Sequence, residues 1–474
     1  MAGFWSVHNS RWALVLAGAF GVLCSGPARA QDAQYWTNDY GNRARLLGGA
    51  MVGSASDLSA VYYNPGRLAL LESAQAFLTG YVFNYDHLSL TNPAEPGDGV
   101  TSSRVDAVAA LIAGELRFGF LGDSRLAYSF MNRHDFDIRL TEEVILEAPD
   151  LVEAPDQELL AGSLGYETRL SEYWAGFTWA KPLGSGLGLG ISTFVSVRSQ
   201  RARANVEFQE LTDQGEATVV SRLRDYNYDS WRVLPKIGLG WESEPWSLGL
   251  TVTTPGVKLW GSGDETLSSV LVGQVEAPDG TLPTYIAVDS QQDIPSTFNS
   301  PWAVAIGAAY LFSSSTRAHF SAEWFSSNNR TILDAEPFVP QTGGEPLDPS
   351  VYLEMKSLAN VGIGVEHVFN EKLTSYGSFR TDFSGAKEPI PTETTFAIWD
   401  LYHLGAGVQA TVGRSDFTLG LMFSHGSQRR PNALFDQGLE DGSGLLSGET
   451  NYSFTRVTLL LGFQLAFAPD LGSG

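Results

Sequence analysis

The C-terminal stretch Arg456–Phe467, RVTLLLGFQLAF, carries the pattern that decides the fold. Every second residue from Val457 to Phe467 is apolar, and the residues between them are mostly small or polar. Successive side chains of a β-strand point to opposite faces, so this stretch predicts a strand with one apolar and one wettable face. The same alternation recurs from Trp302 to Phe312 and from Phe417 to Phe423.

Two features favour a membrane barrel over a soluble β-sandwich. Aromatic residues such as Trp179, Trp241 and Trp246 stand near the ends of alternating segments, where a membrane barrel places its interfacial aromatic residues. Short connections alternate with long ones, as in outer-membrane barrels. The sequence therefore predicts an all-β protein, a transmembrane antiparallel β-barrel of about 14 strands over residues 74–467. Residues 468–474 are expected to form a C-terminal tail.

Three local features refine this prediction. Pro235 and Pro255 fall inside or near predicted strands, and each is expected to mark a distortion or an edge of pairing, because proline lacks the backbone N–H. The acidic stretch 142–158 is expected to be a solvated outer loop.

The N-terminus has the pattern of a cleavable export signal. A short apolar core, Trp12–Cys24, precedes Ala28-Arg29-Ala30, which predicts that residues 1–30 are a signal peptide. Its removal takes away the only cysteine, so the mature chain has neither disulfides nor a catalytic thiol. It also removes two arginines and no acids, which moves the net charge from −23 to −25. A chain this acidic is a poor partner for nucleic acid.

Residues 31–73 do not fit the strand pattern. Glycines and the Asn64-Pro65 pair punctuate this segment, and Asp57 is suited to cap a short helical turn. A disordered periplasmic tail would be polar, whereas this segment carries many apolar side chains. The lumen of the barrel is the nearest place in which that apolar surface can be buried.

Residues 42–70, NRARLLGGAMVGSASDLSAVYYNPGRLAL, resemble the N-terminal hatch of the FadL/TodX family of outer-membrane transporters for hydrophobic compounds. The resemblance implies that residues 31–73 form a hatch, or plug, inside the barrel. Gly66 and Arg67 depart from the family, which commonly has Ala and Gly there. The hatch residues that the resemblance implies are Gly48, Gly49, Asp57, Ser59, Tyr62, Tyr63, Asn64, Pro65 and Gly66.

The resemblance also implies a function. Members of the family are thought to carry long-chain fatty acids or aromatic hydrocarbons passively across the outer membrane, with a sideways exit beside a kinked third strand. The alternation of the matching strand fails at Asn132, Arg133, His134 and Asp135, where we expect the lateral gap. The alternative is that these residues only cross the interface into an outer hairpin. The implied location is the bacterial outer membrane, and no local motif names the cargo or its binding residues.

The expected partners follow from the same resemblance. They are hydrophobic small molecules, outer-membrane lipid and lipopolysaccharide, and the barrel-assembly machinery during biogenesis. We expect a monomer, and no nucleic-acid partner.

The sequence shows no motif of an enzyme or a cofactor site. Motifs of serine hydrolases and zinc proteases are missing, and the histidines are scattered over different predicted strands. We therefore expect no catalytic residue, no metal ligand and no cofactor. Gly186, Gly188 and Gly190 imitate a phosphate loop, but their spacing of two is better explained by close packing of one strand face against the hatch.

Clustered arginines on the fifth and sixth predicted strands leave two possibilities open. They either place cations in the lumen, where a carboxylate headgroup would bind, or pair across strands with the many acids of the chain. These residues are Arg198, Arg201, Arg203, Arg222, Arg224 and Arg232.

Competing functions also stay open. An adhesin or structural barrel would use its long loops to bind a partner. A lipid-acting barrel enzyme would need a Ser–His pair at the lipid interface. A general porin is disfavoured because a plugged lumen conducts poorly.

Overall fold

The computed structural model describes residues 28–29, 33–36, 38–71, 76–78, 81–91, 99–108, 111–116, 118–147, 157–273, 284–387, 399–413, 415–431 and 449–465. The predicted signal peptide lies outside the described residues except for residues 28–29, and the predicted tail 468–474 lies outside them completely.

Strands dominate the described residues. The first half contains β1 (Ala28–Arg29), β2 (Ala76–Leu78), β3 (Tyr81–Thr91), β4 (Gly99–Val108), β5 (Leu111–Leu116), β6 (Arg125–Glu147), β7 (Gln157–Gly184), β8 (Leu187–Thr212), β9 (Ala217–Ser243), β10 (Trp246–Thr253) and β11 (Val257–Trp260). The second half contains β12 (Ser262–Gly273), β13 (Thr284–Pro295), β14 (Ala303–Ser313), β15 (Thr316–Phe325), β16 (Asn328–Leu333), β17 (Val351–Met355), β18 (Leu358–Asn370), β19 (Leu373–Asp382), β20 (Leu401–Val412), β21 (Ser415–Pro431) and β22 (Glu449–Leu465).

The helices are short. They are α1 (Asn42–Leu46), α2 (Ala60–Tyr63), α3 (Pro65–Leu68) and one 3-10 turn, Gly119–Leu121. None of the described helices is long and apolar enough to cross a membrane.

Nineteen of the strand segments join into a closed antiparallel barrel. This number exceeds the predicted 14 because some strands are interrupted and resume in the same direction. β10, β11 and β12 all pair antiparallel with β9, so they form one pass through the wall. Joining β2 with β3, β4 with β5, and β13 with β14 in the same way leaves fourteen passes among the described residues. The predicted fold class is confirmed.

A proline causes one of these interruptions. Pro235 lies inside β9 and stays in register with Thr193 of β8. On its other side, the ladder to β10 ends at Lys236 and resumes with β11 at Val233. Proline has no N–H to donate, so the neighbouring strand is interrupted between residues 253 and 257, where Pro255 lies. Both predicted distortions are confirmed.

The outward face of the barrel is apolar. On β21, Phe417, Leu419, Leu421 and Phe423 are each about half exposed. They face apolar residues of β22 across the ladder. An exposed apolar surface that continues across strands would be unstable in water, and it suits a lipid environment.

One of the predicted loops differs from the structure. The acidic stretch 142–158 was expected to be a loop, but residues 142–147 extend β6 and residues 157–158 begin β7. A strand that extends beyond the apolar belt of the barrel can consist of polar and charged residues. The acidic composition of the stretch therefore did not mark the end of β6 correctly. Residues 148–156 of the stretch lie outside the described residues. A separate small sheet, in the order β1-β17-β16, shares a hydrophobic core with buried barrel residues such as Tyr226 and Tyr228.

Residues 33–71, called the inner segment below, pack against strands around the whole barrel. α3 lies on β7, β8, β9 and β10. On the other side, α1 contacts β19, β20 and β21. Almost every described residue of the segment is buried, and its apolar side chains form one core with inward residues such as Trp174 and Phe194. A segment with contacts on all sides of a closed barrel occupies the lumen.

Candidate functional site

Asn64 fixes the inner segment to the wall. Its side-chain oxygen accepts a hydrogen bond from the backbone N–H of Gly66 at 3.0 Å, which caps α3. Its amide nitrogen donates to the carbonyl oxygens of Val52 and Leu239, each at 2.8 Å. Pro65 occupies the first turn of α3, where its missing N–H has no cost. One side chain therefore joins two parts of the segment and strand β9.

The turn after Asn64 packs directly on backbone. A Cβ added at Gly66 would lie 2.6 Å from the carbonyl oxygens of Gly188 and Gly238 and 2.7 Å from the nitrogen of Gly240. Alanine, which the FadL/TodX-like pattern favours here, would therefore clash. Arg67, the second departure from that pattern, forms an ion pair with Glu242 at 2.8 Å. Gly66 and Arg67, the two departures from the family pattern, therefore each contact residues of the barrel wall in this protein.

The strand glycines divide into two groups. Gly188 and Gly190 face the inner segment, with no space for a Cβ beside the backbone of Gly66 and Pro65. The predicted packing is confirmed for these two residues. For Gly186 it is wrong, because Gly186 has a φ of 73° and lies in the turn between β7 and β8 against the carbonyl of Glu242.

The remaining sequence-predicted residues of the segment have structural contacts of their own. Asp57 accepts a hydrogen bond from the backbone N–H of Ser59 at 2.8 Å, just before α2. Gly48 and Gly49 have φ values of 61° and 73° and turn the chain after α1. Tyr62 and Tyr63 form an edge-to-face pair with ring centroids 5.2 Å apart.

Ion pairs hold the other side of the inner segment. Asp39 pairs with Arg380 of β19 at 2.6 Å, and both side chains are buried. Arg43 pairs with Glu366 of β18. His319 lies 3.4 Å from the same carboxylate through Nε2, and its Nδ1 lies 2.7 Å from the hydroxyl of Ser54.

The predicted gap residues surround an irregularity in strand β6. The register to β7 shifts between Asn132 and His134, which makes Arg133 the extra residue of a β-bulge. Asn132, Arg133 and His134 are all buried, whereas a regular strand would alternate. Asp135, the fourth predicted residue, forms an ion pair with Arg104 of β4 at 3.6 Å.

At the bulge, where the strand register is interrupted, β6 forms hydrogen bonds with the inner segment. The hydroxyl of Tyr40 and the amide of Asn38 each donate to the carbonyl oxygen of Asn132 at 3.2 Å. Arg133 donates to the carbonyl oxygen of Tyr35. Burial raises the pKa of Tyr40 to about 12, so its hydroxyl keeps its proton and stays a donor at neutral pH.

The wall between the second and third passes is paired over a short length. β5 pairs with β6 from Leu116↔Leu126 to Leu111↔Met131, directly before the bulge. Beyond Met131, no ladder joins β4 to β6 within the described part of the chain. Only one described ion pair, Arg104–Asp135, crosses this stretch of wall.

A cavity lies beside the bulge, between the inner segment and β6–β9. We call it the first cavity. Its aromatic rings belong to Tyr35, Tyr62, Trp174, Phe298 and Phe325. Its charged side chains belong to Arg133, Glu172, Arg198, Arg232, Lys236 and Glu323.

Glu172 organises one wall of the first cavity. Its carboxylate accepts hydrogen bonds from Arg198 at 3.0 Å, from Trp174 at 2.6 Å, and from Arg232. The two guanidinium groups also lie 4.0 and 4.5 Å from the ring centroid of Phe298. One carboxylate and one aromatic face thus stabilise two buried cations.

The first cavity has more cations than carboxylates. Among the described residues that line the cavity, the carboxylates are Glu172 and Glu323 and the permanent cations are Arg133, Arg198, Arg232 and Lys236, which leaves two positive charges in excess when His134 is neutral. Lys236 is 3% exposed, and its Nζ lies 4.5 Å from the ring centroid of Tyr62. Within the described part of the chain, Lys236 has no hydrogen bond and no ion pair.

Both possibilities for the arginines occur. Arg198 and Arg232 point into the lumen and also pair with an acid, Glu172. Arg224 is likewise buried and pairs with Glu265. Arg201, in contrast, points outward and pairs with Asp225 of the neighbouring strand.

Sequence reasoning missed Glu172, Lys236 and Phe298. Glu172 and Lys236 occupy inward positions on β7 and β9, in the same alternating rows as buried small residues. A charged residue within a row of small residues was the sequence feature that could have identified Glu172 and Lys236. Phe298 lies between β13 and β14, and no periodicity marks it.

Comparison with known proteins reveals similarity in structure. No protein-family model matches the sequence, and no curated protein matches it. The toluene transporter TodX of Pseudomonas putida superposes with a TM-score of 0.54 at 14% identity, over 93% of this chain and 100% of TodX. A FadL homologue of Pseudomonas aeruginosa superposes with a TM-score of 0.57 at 12% identity, over 92% of this chain and 100% of the homologue. The chain has the FadL/TodX fold. The resemblance expected from residues 42–70 is confirmed at this level.

Proposed function

We propose that this protein lets hydrophobic molecules cross the bacterial outer membrane passively, with the inner segment as a hatch. The observation that carries the proposal is the first cavity, which combines aromatic walls with two surplus buried cations beside a break in the barrel wall. The fold similarity to TodX and to a FadL homologue supports the same class of cargo.

The charge of the first cavity favours an anionic amphiphile, such as a long-chain fatty acid, over a neutral aromatic hydrocarbon. A carboxylate headgroup at Lys236 would compensate a buried charge that forms no ion pair with a described residue. The rings of Trp174 and Phe298 offer apolar surface to the chain, and each CH₂ that stays out of water is worth about 0.8 kcal/mol. A neutral hydrocarbon would leave the cation uncompensated.

The proposed exit is lateral, between β4 and β6. Arg133 and His134 belong both to the bulge and to the lining of the first cavity, so a ligand there already touches the residues beside the unpaired wall. A sideways step into the membrane keeps the hydrocarbon chain away from water along the whole path. The inner segment would close the direct route along the barrel axis.

Uptake of labelled oleate tests this function. Cells that lack their own fatty-acid transporter would be compared with and without the protein, normalised to folded barrel in the outer membrane. We expect the protein to restore oleate uptake and to have a smaller effect on labelled toluene. Unchanged oleate uptake with well-folded barrel would refute the proposal.

Substitution of Lys236 sharpens the test. Lys236→Met keeps most of the side-chain volume and removes the charge, so oleate uptake at low concentration should fall about tenfold, as for loss of one charge-assisted contact. Lys236→Arg keeps the charge and should retain most of the uptake. Arg139→Gln, on the outward face, is the matched control. Equal uptake by the wild type and Lys236→Met would exclude Lys236 as the headgroup contact.

A lipid hydrolase is the second candidate, because a Ser–His pair exists on the outward face. His87 Nδ1 lies 2.9 Å from Ser103 Oγ, and both residues follow the outward rows of Tyr85 and Val105. Within the described residues, no carboxylate or amide orients the other ring nitrogen, as a triad requires. Phospholipid hydrolysis by the purified barrel that disappears in Ser103→Ala would establish this candidate, and we expect none.

A further inference from the structure

A second cavity lies on the opposite half of the barrel. It opens between the inner segment and strands β3 and β19–β22. The residues that matter here are Asp39, Arg45, Arg380, His403, Ser424 and Arg456. In contrast to the first cavity, its described lining contains no Phe, Tyr or Trp side chain.

The second cavity has a surplus of positive charge. Arg45, Arg380 and Arg456 line it. Asp39 pairs with Arg380 at 2.6 Å, and Asp86 pairs with Arg456 at 2.6 Å. The third guanidinium, Arg45, donates to the backbone carbonyl of Asp39 at 2.8 Å. Among the described residues, three guanidinium groups thus face two carboxylates, which favours an anion.

Three buried polar atoms of the lining have no hydrogen-bond partner within the described part of the chain. They are Nε of Arg380, Nε2 of His403 and Oδ2 of Asp39. All three side chains are at least 95% buried. Nδ1 of His403 lies 2.6 Å from the hydroxyl of Ser424. When that hydroxyl donates, Nε2 carries the ring hydrogen, so the unpartnered set is two donors and one acceptor.

This set matches a particular kind of anion. We propose that the second cavity binds a phosphate group that carries a hydrogen, with its oxygens accepting from Arg380 and His403 and its P–OH donating to Asp39. At neutral pH inorganic phosphate keeps at least one hydrogen, whereas sulfate keeps none. A sulfate oxygen would therefore face the Asp39 carboxylate without a hydrogen between them, and the site should discriminate between the two anions.

The bound phosphate would connect the inner segment to the barrel wall. Asp39 and Arg45 belong to the segment, whereas Arg380, His403 and Arg456 belong to β19, β20 and β22. A ligand that binds only the folded barrel raises its stability in proportion to the logarithm of ligand concentration above Kd. Phosphate should therefore raise the unfolding midpoint, and sulfate at equal ionic strength should not.

Calorimetric titration of the purified full-length barrel with inorganic phosphate, methyl phosphate and sulfate tests the proposal. We expect saturable binding of inorganic phosphate at one site and at least tenfold weaker binding of sulfate. Methyl phosphate keeps a P–OH only in its monoanion, since the second pKa of a phosphomonoester is about 6, so its binding should weaken as the pH rises above that value. Methyl phosphate binding that does not weaken would contradict the role of the P–OH. No saturable phosphate binding by the folded barrel, or equal binding of phosphate and sulfate, would overturn the proposal.

Variants assign the binding to this cavity. His403→Leu removes one donor and leaves the Asp39–Arg380 pair intact, and it should weaken phosphate binding about tenfold or more. Asp39→Asn provides an amide donor, and it should reduce the preference for phosphate over sulfate. Arg139→Gln, on the outer face, should change neither value. Phosphate binding that is unaffected in folded His403→Leu would place the ligand elsewhere and contradict the assignment.

Discussion

The inner segment is held in two chemically different ways on its two sides. Towards β8, β9 and β14, backbone packs on backbone through paired glycines such as Gly66 with Gly188 and Gly53 with Gly307. Towards β18 and β19, ion pairs add to such packing, namely the buried pair Asp39–Arg380 and the partly buried pair Arg43–Glu366. Gly362 of β18 also packs against the carbonyl oxygen of Gly48 on this side. The glycine side has no room for one additional methyl group, and the ionic side depends on charge balance.

This difference predicts how each side fails. Glycine packing is a short-range contact. Salt should therefore not affect its stability, whereas a single added methyl group should lower it. A buried ion pair tolerates changes of shape better than it tolerates loss of one partner, because the remaining charge stays buried without compensation. The two sides should therefore respond to opposite kinds of substitution.

The largest effect is expected from Arg380→Met. The variant leaves the Asp39 carboxylate buried beside an apolar side chain, so the free energy of unfolding should fall by about 3–5 kcal/mol. Denaturant unfolding of the detergent-solubilised barrel in phosphate-free buffer measures this. The double variant with Asp39→Asn should recover a part of the loss. A fall below about 1 kcal/mol would mean that the ionic side contributes little.

A smaller effect is expected from Gly190→Ala on the glycine side. The added methyl group would overlap the backbone of Pro65, so the free energy of unfolding should fall by about 1–3 kcal/mol, as for an overpacked core. Gly377→Ala is the matched control, because nothing lies within 4 Å of its added Cβ. Equal unfolding midpoints for the two alanine variants would contradict the glycine account.

The smallest effect is expected from Glu242→Gln. This carboxylate pairs with Arg67 on the glycine side, but its side chain is 36% exposed. Solvent screens such a pair, so the loss should be below about 1 kcal/mol and should shrink further at high salt. Unfolding curves at low and high salt check this. A loss as large as that of Arg380→Met would remove the distinction between the two sides.

Much of the fold was predictable from local pattern. Alternation from Val457 to Phe467 or from Trp302 to Phe312 predicts strands whose outward rows are apolar, and the barrel confirms them. The prolines also marked the interruption of the seventh pass correctly. The boundary near residues 142–158 was wrong, because acidic residues above an apolar belt continue a strand as readily as they form a loop.

The candidate site was less predictable. Arg198 and Arg232 drew attention as clustered cations, but their shared partner Glu172 is 26 and 60 residues away along the chain. The register of β7, β8 and β9 brings these three residues together, and no local motif encodes a register. That Lys236 is buried without an ion pair to any described residue becomes visible only when its neighbours in space are known.

The most direct test of the account is to locate a bound fatty acid. Crystals of the barrel grown with a brominated long-chain fatty acid would give an anomalous bromine signal. We predict a bromine peak in the first cavity between Trp174 and Phe298, with the carboxylate within hydrogen-bond distance of Lys236. Bromine peaks confined to the outward apolar face, with the first cavity filled by water, would contradict the account.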